Sequence, residues 1–280
     1  MRINFNEVSF TYNSKIDYVL KDVDLELSNN QIIFIMGESG SGKSTLIQHI
    51  NALLIPSKGE INLQFNDDSF VISKNHKEKR LKQIRRHCGL VFQFPEHQLF
   101  EVNVLKDVMF GPLNFTRDDK LSEEWSKDAL SKLGIDKSYY QRSPFDLSGG
   151  EKRKVAIAGI LASRPQVLIL DEPSASLDAN SKEELVKLIR EIKNQGKMII
   201  VVSHDVDLAY ELADKIVVLS NGKVISYKTP YDTFNDKEIV ETANLETPFV
   251  YKISDALNIE DKNLRRIGDL ATYLRGKANE

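Results

Sequence analysis

Cysteine is all but missing: Cys88 is the only one in 280 residues. A single cysteine excludes a disulfide framework and a zinc cluster, and it suits a reducing compartment. Long apolar runs are also missing. None approaches the roughly 18 residues that a membrane-crossing helix needs. The opening residues, Met1-Arg2-Ile3-Asn4-Phe5-Asn6-Glu7, have no apolar core of the kind a secretion signal carries. A large charge excess is absent too: the net charge of −3 argues against a protein whose main business is coating nucleic acid. The densest basic segment, Lys74 to Arg86, reads first as a solvated helical face and second as a contact with lipid headgroups or a partner. Repeats, heptad arrays and low-complexity segments do not occur. What remains is an ordinary globular composition, 41% hydrophobic and 28% charged, long enough for one or two domains with a buried core. The expectation is a cytosolic protein, or one peripheral to a membrane on its cytosolic side.

Against that plain background one stretch stands out, Gly37-Glu38-Ser39-Gly40-Ser41-Gly42-Lys43-Ser44-Thr45. It follows the apolar run Ile32-Ile33-Phe34-Ile35-Met36 and precedes Leu46, Ile47, Ile50, Leu53 and Leu54 at helical spacing. G-x-x-x-x-G-K-[ST] between a buried strand and a helix is a phosphate-binding loop. A row of backbone N–H groups at a helix N-terminus collects partial positive charge where a phosphate can sit. Glycines let that backbone approach the oxygens without a Cβ in the way. Lys43 is placed to pair with β- and γ-phosphates, and Ser44 to offer its hydroxyl to Mg²⁺. The sequence therefore predicts a nucleoside triphosphate site.

Taken in order, residues 2–30 read as β structure, with Val23, Leu25 and Leu27 alternating against Asp22, Asp24 and Glu26. Phe10-Thr11-Tyr12 closes an earlier strand. Pro56 is expected to end the helix after the phosphate loop. Ile61, Leu63 and Phe65 alternate again, and Asn66-Asp67-Asp68-Ser69 turns the chain into Phe70-Val71-Ile72 as a hairpin. Leu90 to Gln93 is a short strand. From 94 to about 164 the pattern is helical, punctuated by Pro95, Pro112, Pro144 and Pro165, with Val155 to Leu161 apolar nearly all round and hence buried. Strand-like runs follow at Gln166–Leu170, Met198–Ser203 and Lys215–Leu219, the first two joined by a polar-faced helix from Lys182 to Lys193. That alternation implies a parallel sheet. Asn221-Gly222 signals a type I′ hairpin into Val224–Tyr227. The last 50 residues are helical, with Leu264, Ile267, Ala271 and Leu274 as one apolar stripe, and read as an appended interaction element or a C-terminal brace.

Two further motifs carry chemistry. Val167 to Leu170 is an apolar strand ending in Asp171-Glu172. Strand ends at the carboxyl edge of an α/β sheet are where ligands bind, so Asp171 is expected to hold Mg²⁺ through water. Glu172, on the opposite side of the pleat, is placed to polarise a water for in-line attack on the γ-phosphate. Leu147-Ser148-Gly149-Gly150-Glu151 contains an S-x-x-E capping box, hence a second helix N-terminus with two glycines exposing backbone N–H groups.

The phosphate loop, Gln93, Leu147 to Glu151, Asp171-Glu172 and Ser203-His204-Asp205, in that order, resemble the ATP-binding cassette ATPases over residues 1 to about 230. The resemblance implies an α/β P-loop NTPase core with an antiparallel β subdomain, a helical signature subdomain at about 94–164, and a helical extension at 231–280 for ATPase–ATPase pairing. It implies that Tyr12 stacks on adenine, that Gln93 touches Mg²⁺ and senses a membrane partner, and that Glu172, His204 and Gln93 serve catalysis. Ser148, Gly149 and Gly150 would bind the γ-phosphate of an ATP held by the other protomer. Asp178, in Ser176-Leu177-Asp178, would communicate across that dimer. The sequence departs from the family pattern at Glu151, where glutamine is commoner, and at Ser174-Ala175-Ser176, which lacks a glycine; neither change removes a phosphate donor or the carboxylate. The segment Gly89 to Phe100, with Phe94-Pro95-Glu96-His97-Gln98-Leu99 at its centre, is similar to the second of two paralogous ATPases in energy-coupling factor transporters, importers of vitamins and transition metals. That resemblance implies a heterodimer with a sister ATPase, a membrane scaffold subunit contacted through Phe94–Leu99, a membrane substrate-binding subunit, and no nucleic acid. Another importer or exporter ATPase would keep the ATP motifs but lack the Phe94–Leu99 sequence. A chromosome ATPase would need a long coiled-coil insertion, a translation factor two phosphate loops, and a non-hydrolysing regulatory subunit would be expected to lack Glu172 or His204.

Overall fold

Two sheets carry the chain, and their difference follows from how their strands distribute apolar residues. The computed structural model describes residues 1–13, 17–28, 30–66, 68–76 and 78–278; Asp67 of the expected turn and Lys77 of the basic segment lie outside them. Strands β1 (Arg2–Phe10), β2 (Leu20–Ser28), β4 (Lys58–Phe65) and β5 (Asp68–Ser73) form an antiparallel sheet in the order β2-β1-β4-β5. They alternate apolar and polar residues, so only one face is buried. Strands β3 (Ile32–Met36), β6 (Cys88–Val91), β7 (Val167–Asp171), β8 (Met198–Val202), β9 (Lys215–Ser220) and β10 (Lys223–Lys228) form the second sheet, in the order β10-β9-β3-β8-β7-β6. Here β3, β6, β7, β8 and β9 pair in parallel and β10 antiparallel at the edge. Strands β3, β7 and β8 are buried along their whole length, as parallel strands covered on both faces must be.

The pleat of this sheet divides the interior. Ile33, Ile35, Ile169, Ile200 and Val217 face a core shared with the antiparallel sheet. Their neighbours Phe34, Met36, Leu168, Leu170, Val201 and Val218 face the other core, built with the helices. Those helices are α1 (Lys43–Ile50), α2 (Leu81–His87), α3 (Val104–Thr116), α4 (Asp119–Lys132), α5 (Gly149–Ala162), α6 (Ala179–Asn194), α7 (Val206–Leu212), α8 (Pro230–Asn235), α9 (Lys237–Thr242), α10 (Phe249–Ala256) and α11 (Ile267–Ala278). Of them α1 packs on the antiparallel side through Leu46, Ile47 and Ile50, and α2 through Ile84.

Several expectations are corrected. Helix α1 ends at Ile50, six residues before Pro56, because Ala52 adopts a left-handed conformation (φ 54°) and the chain turns there; Leu53 and Leu54 fall outside the helix. Strand β6 stops at Val91, leaving Phe92 and Gln93 in the following segment. Pro112 lies inside α3 rather than at a boundary. The helix persists because α3 is pressed against α5: a Cβ on the neighbouring Gly111 would stand 2.7 Å from Ser163 Oγ and 3.0 Å from the Gly159 carbonyl oxygen. The helix after β7 starts at Ala179, capped by Asp178, three residues before Lys182. Of the expected C-terminal stripe, Leu264 is buried ahead of α11, but Ile267 and Leu274 are 63% and 39% exposed. Helix α11 instead buries Leu270 and packs Tyr273 behind it. Nor is the tail merely appended: Phe234, Ile239, Val250, Tyr251 and Leu264 belong to the helix-side core, and Arg265 donates to the Ala213 carbonyl. The basic segment is partly structural: Arg80 lies over the Phe70 ring at 4.5 Å and Arg85 donates to the Ala52 carbonyl.

The Asn221-Gly222 hairpin forms as expected, with φ positive at both residues (50° and 82°) as type I′ requires. Its tip does more than join β9 to β10. The Gly222 carbonyl accepts from Lys21 N–H, and the Gly222 N–H donates to the Ser41 carbonyl at 3.2 Å. The hairpin thus braces the phosphate loop from behind, a role that no local sequence signal carries.

Candidate functional site

Strand β3 ends at Met36 against the carboxyl edge of the parallel sheet, and the loop that follows is held there by close backbone contacts. Gly37 has φ 140°, and a Cβ on it would lie 2.0 Å from the Leu219 carbonyl oxygen. Gly42 has φ 105° and precedes the first residue of α1. No L side chain fits either position without strain. Inside the curve, Lys43 Nζ donates to the carbonyl oxygens of Gly37 and Glu38, each at 2.8 Å. Burial lowers the Lys43 pKa, an effect opposed by the carboxylates of Glu172, Asp171 and Glu38.

Around it a cleft of about 390 Å³ is lined by Ser39, Gly40, Gly42, Lys43, Ser44 and Thr45 together with Gln93, Asp171, Glu172 and His204, a volume suited to a small-molecule ligand. Residues from four separate parts of the chain therefore meet at one sheet edge. Glu38 touches the cleft through its carbonyl bond to Lys43, and Ser41 is buried behind it. Asp171 closes β7 and is nearly buried. Burial raises its pKa, with the Glu172 charge adding to the rise, while a hydrogen bond from Ser44 and the charge of Lys43 oppose it. Ser44 hydroxyl, Asp171 carboxylate and Gln93 amide are hard oxygen donors of the kind Mg²⁺ takes beside phosphate oxygens. This donor set fits that ion. Among the described residues no cluster of three or more His, Cys, Asp or Glu side chains forms a self-sufficient metal cage.

Glu172 reaches the cleft by a turn rather than by the pleat. Its φ of 49° takes it out of the strand direction, and its N–H donates to the Val202 carbonyl at 2.8 Å, docking the turn on β8. One carboxylate oxygen, Oε2, accepts from His204 Nδ1 at 2.9 Å. His204 follows β8, and Asp205 beside it caps α7 and pairs with Lys182 at 2.8 Å. The imidazole is mostly exposed and the carboxylate mostly buried, so the pair presents a proton acceptor oriented by a donor at the mouth of the cleft.

Tyr12 does not line that cleft. It is 63% exposed and its hydroxyl meets Thr45 Oγ1 at 3.1 Å, beside the first turn of α1. Ser148, Gly149 and Gly150 also lie outside it. They form the N-terminus of α5, where the capping box is complete: Ser148 N–H and Oγ–H both donate to Glu151 Oε2, at 2.8 and 2.7 Å, and Ser148 Oγ accepts from Glu151 N–H at 3.4 Å. Those bonds, with another from Tyr139, hold the Glu151 pKa below its usual range. Asp178 caps α6 by accepting from Ser181 N–H at 2.8 Å. Arg153 on α5 donates to the Ala175 carbonyl at 3.1 Å, tying the signature helix to the segment that leads to Asp178. Of Phe94 to Leu99, Pro95 and Leu99 turn inward. Phe94, in a left-handed conformation, stacks against the His97 ring at 5.9 Å, and the exposed apolar surface continues through Phe100, Val102 and Phe110. Sequence reasoning missed Val19 and Val202 in the cleft wall, since neither carries a chemical signal. A larger cleft of about 590 Å³, beside α4 and the N-terminal end of β7, is lined by none of Gly37 to Thr45, Gln93, Asp171, Glu172 and His204.

A family model described as ABC transporter matches residues 20–175. The chain is 42% identical over 279 residues to an energy-coupling factor transporter ATP-binding protein, EcfA2, of Spiroplasma kunkelii, covering 96% of this chain and 90% of that one. It is 41% identical over 295 residues to the EcfA2 of Caldanaerobacter subterraneus subsp. tengcongensis, with both chains covered in full. Among solved structures, cbiO1 of Clostridium perfringens, part of the ABC transporter complex cbiONQ, superposes with a TM-score of 0.73 at 33% identity, covering 90% of this chain and 98% of that one.

Proposed function

This chain belongs to the ATP-binding cassette ATPases, among the ATP-binding proteins of energy-coupling factor transporters, and from that premise we propose how its residues divide the work. It hydrolyses ATP to drive transport. The observation that carries the reading is the single cleft in which the phosphate loop, Gln93, Asp171, Glu172 and His204 converge while Ser148 to Gly150 stand outside it.

Backbone N–H groups of Gly37 to Thr45 and the Lys43 ammonium hold the β- and γ-phosphates, and the ring of Tyr12 stacks on adenine. Glu172, oriented by His204, takes a proton from the attacking water as its oxygen bonds to the γ-phosphorus and the bond to the ADP oxygen breaks, giving ADP and phosphate. His204 also faces the γ-phosphate. Bound through Ser44, Asp171 and Gln93, Mg²⁺ would neutralise phosphate charge.

The N–H groups of Ser148, Gly149 and Gly150 serve an ATP held by a second ATPase subunit, with Asp178 at the contact between the two. ATP then acts as the bridge between protomers, and its hydrolysis lets the pair open, a two-state element biased by a γ-phosphate. In this reading residues 1–230 are the cassette, 94–164 its helical subdomain and 231–280 the pairing extension. The second ATPase is a paralogous sister. Phe94 and its exposed aromatic neighbours meet a membrane scaffold subunit, and a membrane substrate-binding subunit supplies a vitamin or transition metal. The assembly places this chain on the cytoplasmic face of the cell membrane.

Purification in mild detergent followed by mass spectrometry tests the assembly: a sister ATPase and two membrane proteins are expected with it. The dilute isolated chain is expected to hydrolyse ATP slowly, and full activity as a monomer would overturn the shared-site reading.

A further inference from the structure

His49 is completely buried in α1, one turn beyond Thr45. Its Nδ1 lies 2.7 Å from the Thr45 carbonyl oxygen. A carbonyl only accepts, so Nδ1 carries the proton and donates, and Nε2 is left as an acceptor. That Nε2 is buried with no hydrogen-bond partner among the described residues. Burial pushes the pKa down to about 4, so the ring is neutral and this arrangement persists at physiological pH. The imidazole packs edge-on to Phe10, centroids 4.7 Å apart. Phe10 packs edge-on to Tyr12 at 4.9 Å, and the Tyr12 hydroxyl meets Thr45 Oγ1 at 3.1 Å. The contacts close on themselves: Thr45, His49, Phe10, Tyr12 and back to Thr45.

An unpaired buried acceptor is costly to keep, and leucine would fill the same space without one. The imidazole supplies two things leucine cannot, a donor to the Thr45 carbonyl and a flat ring that fixes Phe10 edge-on. We propose that His49 is a positioning residue for nucleotide binding, which holds Tyr12 at a set distance from the phosphate-binding turn through Phe10 and Thr45. The inference rests on Tyr12 being the surface that receives the base. Its consequence is specific: His49 governs affinity for the base end of ATP and leaves the phosphate end alone.

Calorimetric titration of the full-length chain with Mg-ATP and, separately, with Mg-tripolyphosphate tests it. Tyr12→Ala is expected to weaken ATP about tenfold, the scale of one stacked base. His49→Leu is expected to weaken ATP about fivefold and tripolyphosphate less than about twofold. The double variant should be no weaker than Tyr12→Ala alone, because both changes remove one device. An unchanged ATP affinity in His49→Leu, an equal loss of tripolyphosphate, or additive losses in the double variant would each overturn the inference. Unchanged ATP binding by Tyr12→Ala would remove the base-stacking reading and this inference with it. A loss in Tyr12→Ala beside an unaffected His49→Leu removes the inference alone. Should His49→Leu fail to fold, Phe10→Leu cuts the same ring contact with His49 in place. It must show the same preference for ATP loss over tripolyphosphate loss, or the inference fails.

Discussion

Two glycine-bearing turns open helices in this chain, and they are glycine-bearing for opposite reasons. In the phosphate loop, Gly37 and Gly42 sit at φ 140° and 105° with backbone or side chain of their own molecule within 3 Å of any added Cβ. In the signature turn, Gly149 and Gly150 have no left-handed φ, and nothing among the described residues lies within 4 Å of where a Cβ would stand. The first pair is required by the fold. The second pair is not required by any contact among the described residues, and glycine at the first turn of a helix is unfavourable next to alanine. Its bareness makes sense as room for something brought from outside, which is why the reading of a shared site turns on these two residues more than on the phosphate loop.

Substitutions sharpen or break that contrast. The largest effect is expected on the chemical side. Glu172→Gln should lower hydrolysis by the assembled complex about 10³-fold while ATP stays bound, measured by phosphate release and by nucleotide retention on the purified protein; near-normal turnover would remove Glu172 as the base. Next, Gly149→Ala should leave the thermal midpoint of the isolated chain unchanged, or slightly raised, and yet cut ATPase activity of the complex by about 10²-fold, the scale for losing one donor to a developing charge. Full activity in that variant would collapse the distinction between the two turns. Gly37→Ala should do the reverse, lowering stability by about 3 kcal/mol and the thermal midpoint by roughly 6–12 °C in the isolated chain, with no partner needed to see it.

The smallest effect concerns pH. The Glu151 carboxyl is held below its ordinary value by its bonds to Ser148. A depressed carboxyl contributes its stabilisation above the unfolded value of 4.5 and loses it as pH falls through the lower folded value. Glu151→Gln keeps an acceptor for Ser148 but cannot titrate. The stability difference between the two proteins should therefore be largest at neutral pH and shrink below about pH 4. Denaturant midpoints measured from pH 7 down to pH 3 would show it.

How much of this was open to reading in the sequence depends on whether a signal is local. The strand before Gly37, the apolar runs at 167–170 and 198–202 and the Asn221-Gly222 turn announce themselves through periodicity and backbone chemistry that neighbouring residues share. Gathering Gln93, Asp171, Glu172 and His204 at one edge follows from parallel strands sharing a carboxyl end. What stayed hidden depends on contacts between distant segments. Pro112 looks like a helix end until α5 presses on Gly111. Leu264, Ile267, Ala271 and Leu274 look like one buried stripe until α11 is seen to bury Leu270 instead. His49 passes for an ordinary helix residue until Phe10 and Tyr12 are laid beside it, and the brace from Gly222 to Ser41 spans 181 positions of chain.

The alternating faces of the parallel sheet have a consequence for how the molecule comes apart. Ile33 and Ile35 belong to one core and Phe34 and Met36 to the other, so each short strand is a shared wall whose removal opens both rooms at once. Neither core can melt while the other keeps β3, β7 and β8 in place. The antiparallel sheet and the sheet-covering helices should accordingly lose structure in a single cooperative transition, with near-ultraviolet and far-ultraviolet circular dichroism reporting the same midpoint.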